Sequence, residues 1–513
     1  MTSAAFNPML LPNFAQMLWA GASAHGEAPA IIERDQVTSH QQLMERAAAI
    51  ATVLLERGLV TNQRVGILLD RGADAAASFF GIAAAGGIAI NINETLRPRQ
   101  IEYVLEHAGA SFLVTTQELL ARQPRAITTT APMLLVEEIP ASGQVTPAPR
   151  IGTDVAHIIY TSGSTGLPKG VTISHANIWA GMESVATYTR ITTDDRIASL
   201  LPFSFDYGLN QLLTTIGRGA ALVVEKSPLP QVIIETLRTR GVTLLPCVPP
   251  LWLQLLAVES FRQRPIPTLR AMTNTGGRVP LEAVRALRTS QPQAELFLMY
   301  GLTEAFRSTF LPPEEADRRP DSIGKAIPGA EIMVVREDGT RCGPNENGEL
   351  VHRGPTVSLG YWRDPEITGR IFRPNPLRPE GTQELEKVVY SGDVVRTDEE
   401  GFLYYVGRRD TLIKTMGFRV SPDEVASVLY ASGAIVESII LSEPDEQRGE
   451  RIIAYVVLKP EGTVDQIRAF CATELPRYMQ PARYEVRDSL PRTSSGKFDP
   501  KSLKSEGSAP PSP

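Results

Sequence analysis

Residues Ile159 to Gly170 read IYTSGSTGLPKG, the stretch whose residue types most clearly suit a chemical task. Thr161, Ser162, Gly163, Ser164, Thr165 and Gly166 are all small, and Lys169 closes the run. Glycines let backbone N–H groups approach an anion closely, hydroxyls add donors, and a lysine brings a mobile positive charge. A polyphosphate is the ligand these groups suit. The string is not a Walker loop, whose lysine is followed by Ser or Thr and opens a helix. Here Lys169 follows Pro168, and Gly170 to Ile173 read as a strand. Residue types alone leave a second reading open, a surface hairpin rich in small polar residues. Three further stretches invite chemistry: LMYGLTE at 298–304, YSGD at 390–393 and RTSSGK at 492–497. Each also has a plain structural reading. YGLTE suits a helix start capped by Thr303, YSGD a Gly-Asp turn, and Lys497 a solvated side chain in a Gly/Ser turn.

In spelling and order these stretches resemble the adenylate-forming superfamily: acyl-CoA synthetases, adenylation domains of nonribosomal peptide synthetases, and firefly luciferase. The resemblance runs over roughly residues 15 to 503. It implies a large N-terminal domain (1–409), a hinge at Asp410, a small mobile C-terminal domain (410–503) and a disordered tail (504–513). It implies ATP and Mg²⁺ as well, with the 161–169 loop clamping the β- and γ-phosphates. Tyr300, followed by Gly301, would stack on adenine. Thr303 would bond the α-phosphate or the acyl-adenylate, and Glu304 would help to hold Mg²⁺. The chemistry agrees, since a flat aromatic suits a purine and a hard carboxylate oxygen suits magnesium. Gly276, Gly277 and Arg278, in the run NTGGR, would border adenine. Asp393 would accept from the ribose hydroxyls, and Arg408 would contact ribose or phosphate. Lys497 would bridge the substrate carboxylate and the α-phosphate as pyrophosphate leaves. Lys414, with Arg419, falls in the loop that relatives present for thioester formation; many relatives have glutamine where Arg419 stands.

The acid itself should meet Leu201 to Asn210. At this station a Phe-Asp pair in adenylation domains sets the aspartate against a substrate α-amino group, and here the pair is Phe205-Asp206. A buried carboxylate calls for a cation, so an amino acid is the favoured substrate. Asn210, Thr275, Met299 and Arg307 map to the same pocket. Arg307 leaves two alternatives open: it neutralises Asp206 internally, or it holds a second polar group of the substrate. His157 reads as structural. His175, next to the N-cap Ser174, reads as a surface residue.

Composition bounds the rest. The chain has 513 residues, 42% hydrophobic and 21% charged, enough for two or more cored domains. Fifty-one basic against 57 acidic residues give a net charge of −6, which disfavours an electrostatically held nucleic acid. Cys247, Cys342 and Cys471 lie far apart without metal-ligand spacing and read as reduced thiols. The first Lys or Arg is Arg34, so a signal peptide's basic n-region is missing. The longest nearly apolar stretch, Ala75 to Ile90, is interrupted by Ser78, Gly81, Gly86 and Gly87 and is short for a bilayer span. A cytoplasmic enzyme is expected.

The elements that must position these residues follow from periodicity. Strand-like runs (64–69, 87–92, 111–115) alternate with helical patterns (43–57, 75–85, 98–108), which favours helix-covered, mostly parallel sheets. Around 323–335 and 348–361 shorter strands with Gly/Pro turns suggest a small antiparallel barrel or sheet. After Asp410, strands at 436–442 and 451–459 and helices at 421–430 and 463–474 suggest a compact α+β module. The expected activity is an AMP-forming ligase that makes an acyl-adenylate and passes the acyl group to a phosphopantetheine thiol. That thiol belongs to coenzyme A or to a carrier protein; residues after 503 leave no room for a carrier domain, so a carrier would act in trans. The alternatives are an acyl-CoA synthetase for an aryl or fatty acid, capture of the adenylate by a non-thiol nucleophile, and a catalytically dead nucleotide-binding scaffold.

Overall fold

The computed structural model describes residues 13–161, 168–379, 381, 386–409, 413–415, 418–445, 449–493, 498–500 and 502–503. Among these, strands gather into three sheets. The alternation of apolar strands and helices produces what it should. Val37–Ser39 edges a sheet that continues through Pro29–Ile32, Ala221–Val224, Arg196–Ser199, Leu244–Cys247, Ala271–Asn274 and Glu295–Leu302. From Pro29–Ile32 to Glu295–Leu302 every neighbouring pair is parallel. Such strands, covered on both faces, read as continuous apolar runs.

The sheet then changes character without a break. Phe306–Leu311, Ser322–Ala326, Leu403–Arg408, Lys387–Thr397, Gly348–Arg353 and Glu331–Val335 follow in antiparallel order. A closed barrel is therefore not what the Gly/Pro-rich region forms. Ser322–Ala326 pairs with Phe306–Leu311 on one side and Leu403–Arg408 on the other, which joins the antiparallel strands to the parallel sheet instead of rolling them up.

The second sheet runs Gly360–Tyr361, Lys169–Ser174, Val155–Thr161, Ile88–Asn91, Arg64–Ile67, Ala110–Thr115 and Met133–Leu135. Between the two large sheets lie the helices His40–Glu56 and Ala73–Ala84, whose Leu43 and Phe79 share one core with Ile31 and Leu222 of the first sheet and Val65 of the second. The first of these helices starts three residues before the expected position because Ser39 and Gln42 form a reciprocal capping box. Pro98–Ala108 coincides with expectation, opening on a proline and closing at Gly109 with φ 63°.

The third sheet is built of Ile413–Thr415, Phe418–Val420, Ile435–Asp445, Gly449–Leu458 and Arg483–Val486, with helices Pro422–Ala431 and Val464–Glu474 packed together. Helix Pro422–Ala431 also packs against Leu281–Ser290 and Leu403–Arg408 of the larger part. Cys247 and Cys471 are buried and Cys342 is half-buried, and none is in a disulfide.

Candidate active site

The stretch YGLTE is a β-hairpin rather than a helix start. Glu295–Leu302 turns back as Phe306–Leu311, with Leu302 opposite Phe306 and Thr303, Glu304 and Ala305 at the tip. The ladder shifts register between Tyr300 and Gly301. A Cβ on Gly301 would run into the carbonyl oxygen of Phe306, so the close approach of the two strands accounts for this glycine. Phe306 sits at φ 60°, a strained value for a bulky residue. That conformation lays its ring on Gly181 in the helix His175–Tyr188; a Cβ there would stand 2.6 Å from Phe306 Cε1.

The two tip residues report to different neighbours. Thr303 Oγ1 lies 3.4 Å from Asp206 Oδ2. Glu304 Oε1 accepts a hydrogen bond from the Tyr361 phenol, whose own ionisation is pushed up by burial and then by the Glu304 charge. Tyr361 belongs to the short strand Gly360–Tyr361, which pairs with Lys169–Ser174, and Trp362 N donates to Gly170 O at 2.7 Å. Lys169 in turn stands opposite Thr161. One chain of contacts thus links the hairpin that carries the 161–169 loop to Glu304. Ser162 to Gly166 lie outside the described residues, as do Asp410 and Lys497. Lys414 is described only as backbone, paired with Arg419.

On a second side of the hairpin, the Tyr300 phenol donates to Asp393 Oδ2. Burial and the adjacent carboxylate both push the Tyr300 hydroxyl well above its ordinary value. Asp393 faces Arg408 across the strand pair, with Arg408 Nη1 3.4 Å from Asp393 Oδ1 and 3.1 Å from Ser391 O. One face of Tyr300 stacks on His352, centroids 6.1 Å apart at 20°. At the neighbouring strand end, Asn274 Nδ2 donates to Gly277 O at 3.1 Å, and Gly276 turns the chain at φ 81°. Arg278 is exposed there.

On the third side, Asp206 opens the helix Asp206–Arg218, where its Oδ1 accepts from Tyr207 N at 2.7 Å. Phe205 meets Tyr207 edge-on, and buried Asn210 follows one turn later on the same helix. Tyr207 is held by Thr273, its hydroxyl 2.9 Å from the carbonyl oxygen. Arg307 lies over the Tyr207 ring, Cζ 4.7 Å from the centroid, with Nη1 3.4 Å from Thr275 Oγ1. No carboxylate among the described residues stands within 4 Å of Arg307, so its internal pairing with Asp206 does not occur. Met299 points elsewhere: its sulfur accepts from the Tyr188 hydroxyl at 2.8 Å. A cavity of about 30 Å³ is walled by His157, Asn177, Asp206, Leu213, Thr303 and Phe306, whereas Asn210, Thr275, Met299 and Arg307 are not on its wall.

The histidine expectations divide. His157 is structural, buried with Nδ1 2.8 Å from Ala89 O. His175 is not a surface residue: it is buried, and its Nδ1 accepts from Phe14 N at 3.1 Å. Ser174 caps the helix as expected, with Asn177 returning the bond. Tyr361, His352, Gly181 and Phe306 are the neighbours that residue types did not disclose.

This arrangement has a known counterpart. The profile of the "AMP-binding enzyme" family matches residues 18–362, and that of the "AMP-binding enzyme C-terminal domain" matches residues 424–497. The chain belongs to the AMP-binding enzyme family. Gramicidin S synthase 2 of Brevibacillus brevis is 29% identical over 479 residues, covering 92% of this chain; the chain spans only 10% of that protein's length. Long-chain-fatty-acid–CoA ligase of Escherichia coli O157:H7 is 27% identical over 550 residues, covering 98% of this chain and 95% of that one. The o-succinylbenzoate coenzyme A synthetase of Bacillus subtilis, solved with ATP and magnesium ion, superposes with a TM-score of 0.82 at 27% identity over 96% of this chain and 99% of that one.

The residues present fit Mg²⁺ brought in with the nucleotide. Glu304 supplies one hard carboxylate, and no cluster of three or more His, Cys, Asp or Glu ligands exists among the described residues. Magnesium is commonly held by one or two carboxylates plus substrate phosphates and water, which this donor set allows. No helix among the described residues is long and apolar enough to cross a membrane.

Proposed function

We propose that the protein activates a small carboxylic acid, an amino acid for preference, as its acyl-adenylate and passes the acyl group to a phosphopantetheine thiol. The observation that carries the substrate half is Asp206: a buried carboxylate beside Thr303, on the cavity wall, with no cationic side chain within 4 Å among the described residues. A substrate ammonium would supply the missing charge.

In this reading the ribose hydroxyls of ATP donate to Asp393, oriented by Tyr300 and Arg408, and adenine meets Tyr300 beside Gly276, Gly277 and Arg278. Lys169 and the 161–166 loop hold the outer phosphates, with Glu304 on Mg²⁺, which would neutralise phosphate charge. A substrate carboxylate oxygen attacks the α-phosphorus; a P–O bond forms, and the bond to the β-phosphate oxygen breaks to release pyrophosphate. Lys497 and Thr303 stabilise the charge that develops on the α-phosphate. After rotation about Asp410, with the Lys414 hairpin turned in, the thiol sulfur attacks the acyl carbon and AMP leaves.

The acceptor is coenzyme A or a free-standing carrier protein. The full-length match to a CoA ligase favours coenzyme A, whereas the match to a synthetase module favours a carrier in trans. ATP–pyrophosphate exchange across amino, aryl and aliphatic acids tests the reaction and the acid together. Stimulation by simple acids but by no amino acid would remove the ammonium role of Asp206.

A further inference from the structure

The described residues include three buried arginines: Arg150, Arg307 and Arg319. Two of them have acids at hand. Arg150 lies 3.2 Å from Asp154, and Arg319 faces Glu315, Asp398 and Glu400. Arg307 is the most buried of the three, at 2% exposure, and has none within 4 Å among the described residues. Burying a guanidinium without an acid beside it is costly, because its N–H groups give up water and gain no carboxylate in exchange. The rings of Tyr207 and Phe306 attract it, at 4.7 and 5.4 Å, but offer no acceptor for its N–H groups.

The hydrogen-bond pattern says which side of the guanidinium is waiting. Nη1 reaches Thr275 Oγ1 at 3.4 Å, while Nε and Nη2 have no partner among the described residues. Nε–H and the adjacent Nη2–H form the straight edge of the fork, the one that takes a carboxylate side-on through two parallel hydrogen bonds. Asp206 does not supply it, because its carboxylate is turned to Tyr207 N and Thr303. Tyr207 therefore carries Arg307 over its ring and donates its backbone N–H to Asp206, and the two side chains do not pair with each other.

We propose that Arg307 receives a second carboxylate of the substrate, so that the acid activated is a dicarboxylic acid, in its amino form an amino dicarboxylate. This rests on the acyl pocket as placed above but not on the ammonium role of Asp206. Arg307 directly follows Phe306, which walls the small cavity together with Asp206 and Thr303, so the guanidinium stands one residue from the wall of that pocket.

The test uses the full-length wild-type protein in ATP–pyrophosphate exchange with L-aspartate and L-glutamate, their amides L-asparagine and L-glutamine, and succinate and glutarate. Acids should exceed their amides by at least about 100-fold in kcat/KM, because a site built for one polar group strongly rejects an analogue lacking it. If succinate or glutarate serves as well as the amino acids, the second-carboxylate site stands and the ammonium reading of Asp206 falls. Amides or simple neutral acids that work as well as the dicarboxylates overturn the proposal, as does failure of every dicarboxylate. In Arg307→Gln the acid-over-amide ratio should collapse while MgATP binding, measured by calorimetry, is retained. A ratio that stays at the wild-type value in a variant that still binds MgATP also overturns it.

Discussion

Four of the six histidines are buried as neutral rings, which sets a steep acid limit on the fold. His175 must keep Nδ1 bare to accept from Phe14 N. His157 donates Nδ1–H to Ala89 O and His40 donates Nε2–H to Ala220 O; among the described residues the second nitrogen of each has no partner, and His352 has none at either nitrogen. Burial is the largest cause in every case, lowering His40, His157 and His175 to about 4 and His352 to about 3. A group lowered on folding stabilises the native state above its unfolded pKa and loses that contribution as pH falls toward its folded pKa. From pH 7.5 to 5.5 the unfolded chain binds nearly a full extra proton per ring, about 1.3 kcal/mol each and about 5 kcal/mol for the four. That rivals the whole stability of many domains. Lowered carboxylates such as Asp195 titrate below this window, and Glu94 and Asp423, raised by burial, oppose the trend with two groups against four. Thermal melting should therefore show a large fall between pH 7.5 and 5.5, and His352→Phe, which preserves the stack on Tyr300, should remove about a quarter of the dependence. A melting temperature flat across the window, or an unchanged slope in His352→Phe, would refute the reasoning.

Three substitutions separate the halves of the site. Gly181→Ala puts a methyl 2.6 Å from the Phe306 ring; overpacking of about 1–3 kcal/mol predicts a roughly 5- to 150-fold loss of kcat/KM for the acid. Nucleotide binding should not change. Tyr361→Phe frees Glu304 of its phenol, and the Mg²⁺ concentration for half-maximal exchange should rise roughly 10-fold with the acid KM unmoved. Asp393→Ala should raise the ATP KM on the order of 10-fold and abolish any preference over 2′-deoxy-ATP. Equal kinetics with the two nucleotides before the substitution would remove the ribose role.

Local patterns were legible to within a few residues, and long-range ones were not. Helix Pro98–Ala108 carries its own start and stop, a proline and a left-handed glycine, and was read to the residue. YGLTE lacks such self-sufficiency: its strand exists because Phe306–Leu311 and Ala271–Asn274 pair on its two sides. The misplacement of His175 has the same cause, since the N–H that buries it comes from Phe14, 161 positions away. Aspartate and arginine at 206 and 307 were assigned to one pocket by resemblance, but whether they touch depends on how Tyr207 seats between them. The open antiparallel arm, expected as a barrel or sheet, depends on a single strand, Ser322–Ala326, having partners on both edges.

The hairpin tip explains how two separate recognitions can meet at one reacting bond. Thr303 and Glu304 are adjacent, yet Thr303 faces Asp206 on the acid side and Glu304 faces Tyr361 and the hairpin that holds Lys169. Two residues later Phe306 stands in a left-handed conformation that its ring maintains against Gly181. Relaxation of that residue to an ordinary φ would swing Arg307 off Tyr207 and move the tip with it. The strain at Phe306 therefore couples the shape of the acid pocket to the position of Glu304. On the proposed reading, an acid seated on Arg307 would favour the same tip geometry that presents Glu304 to the phosphates.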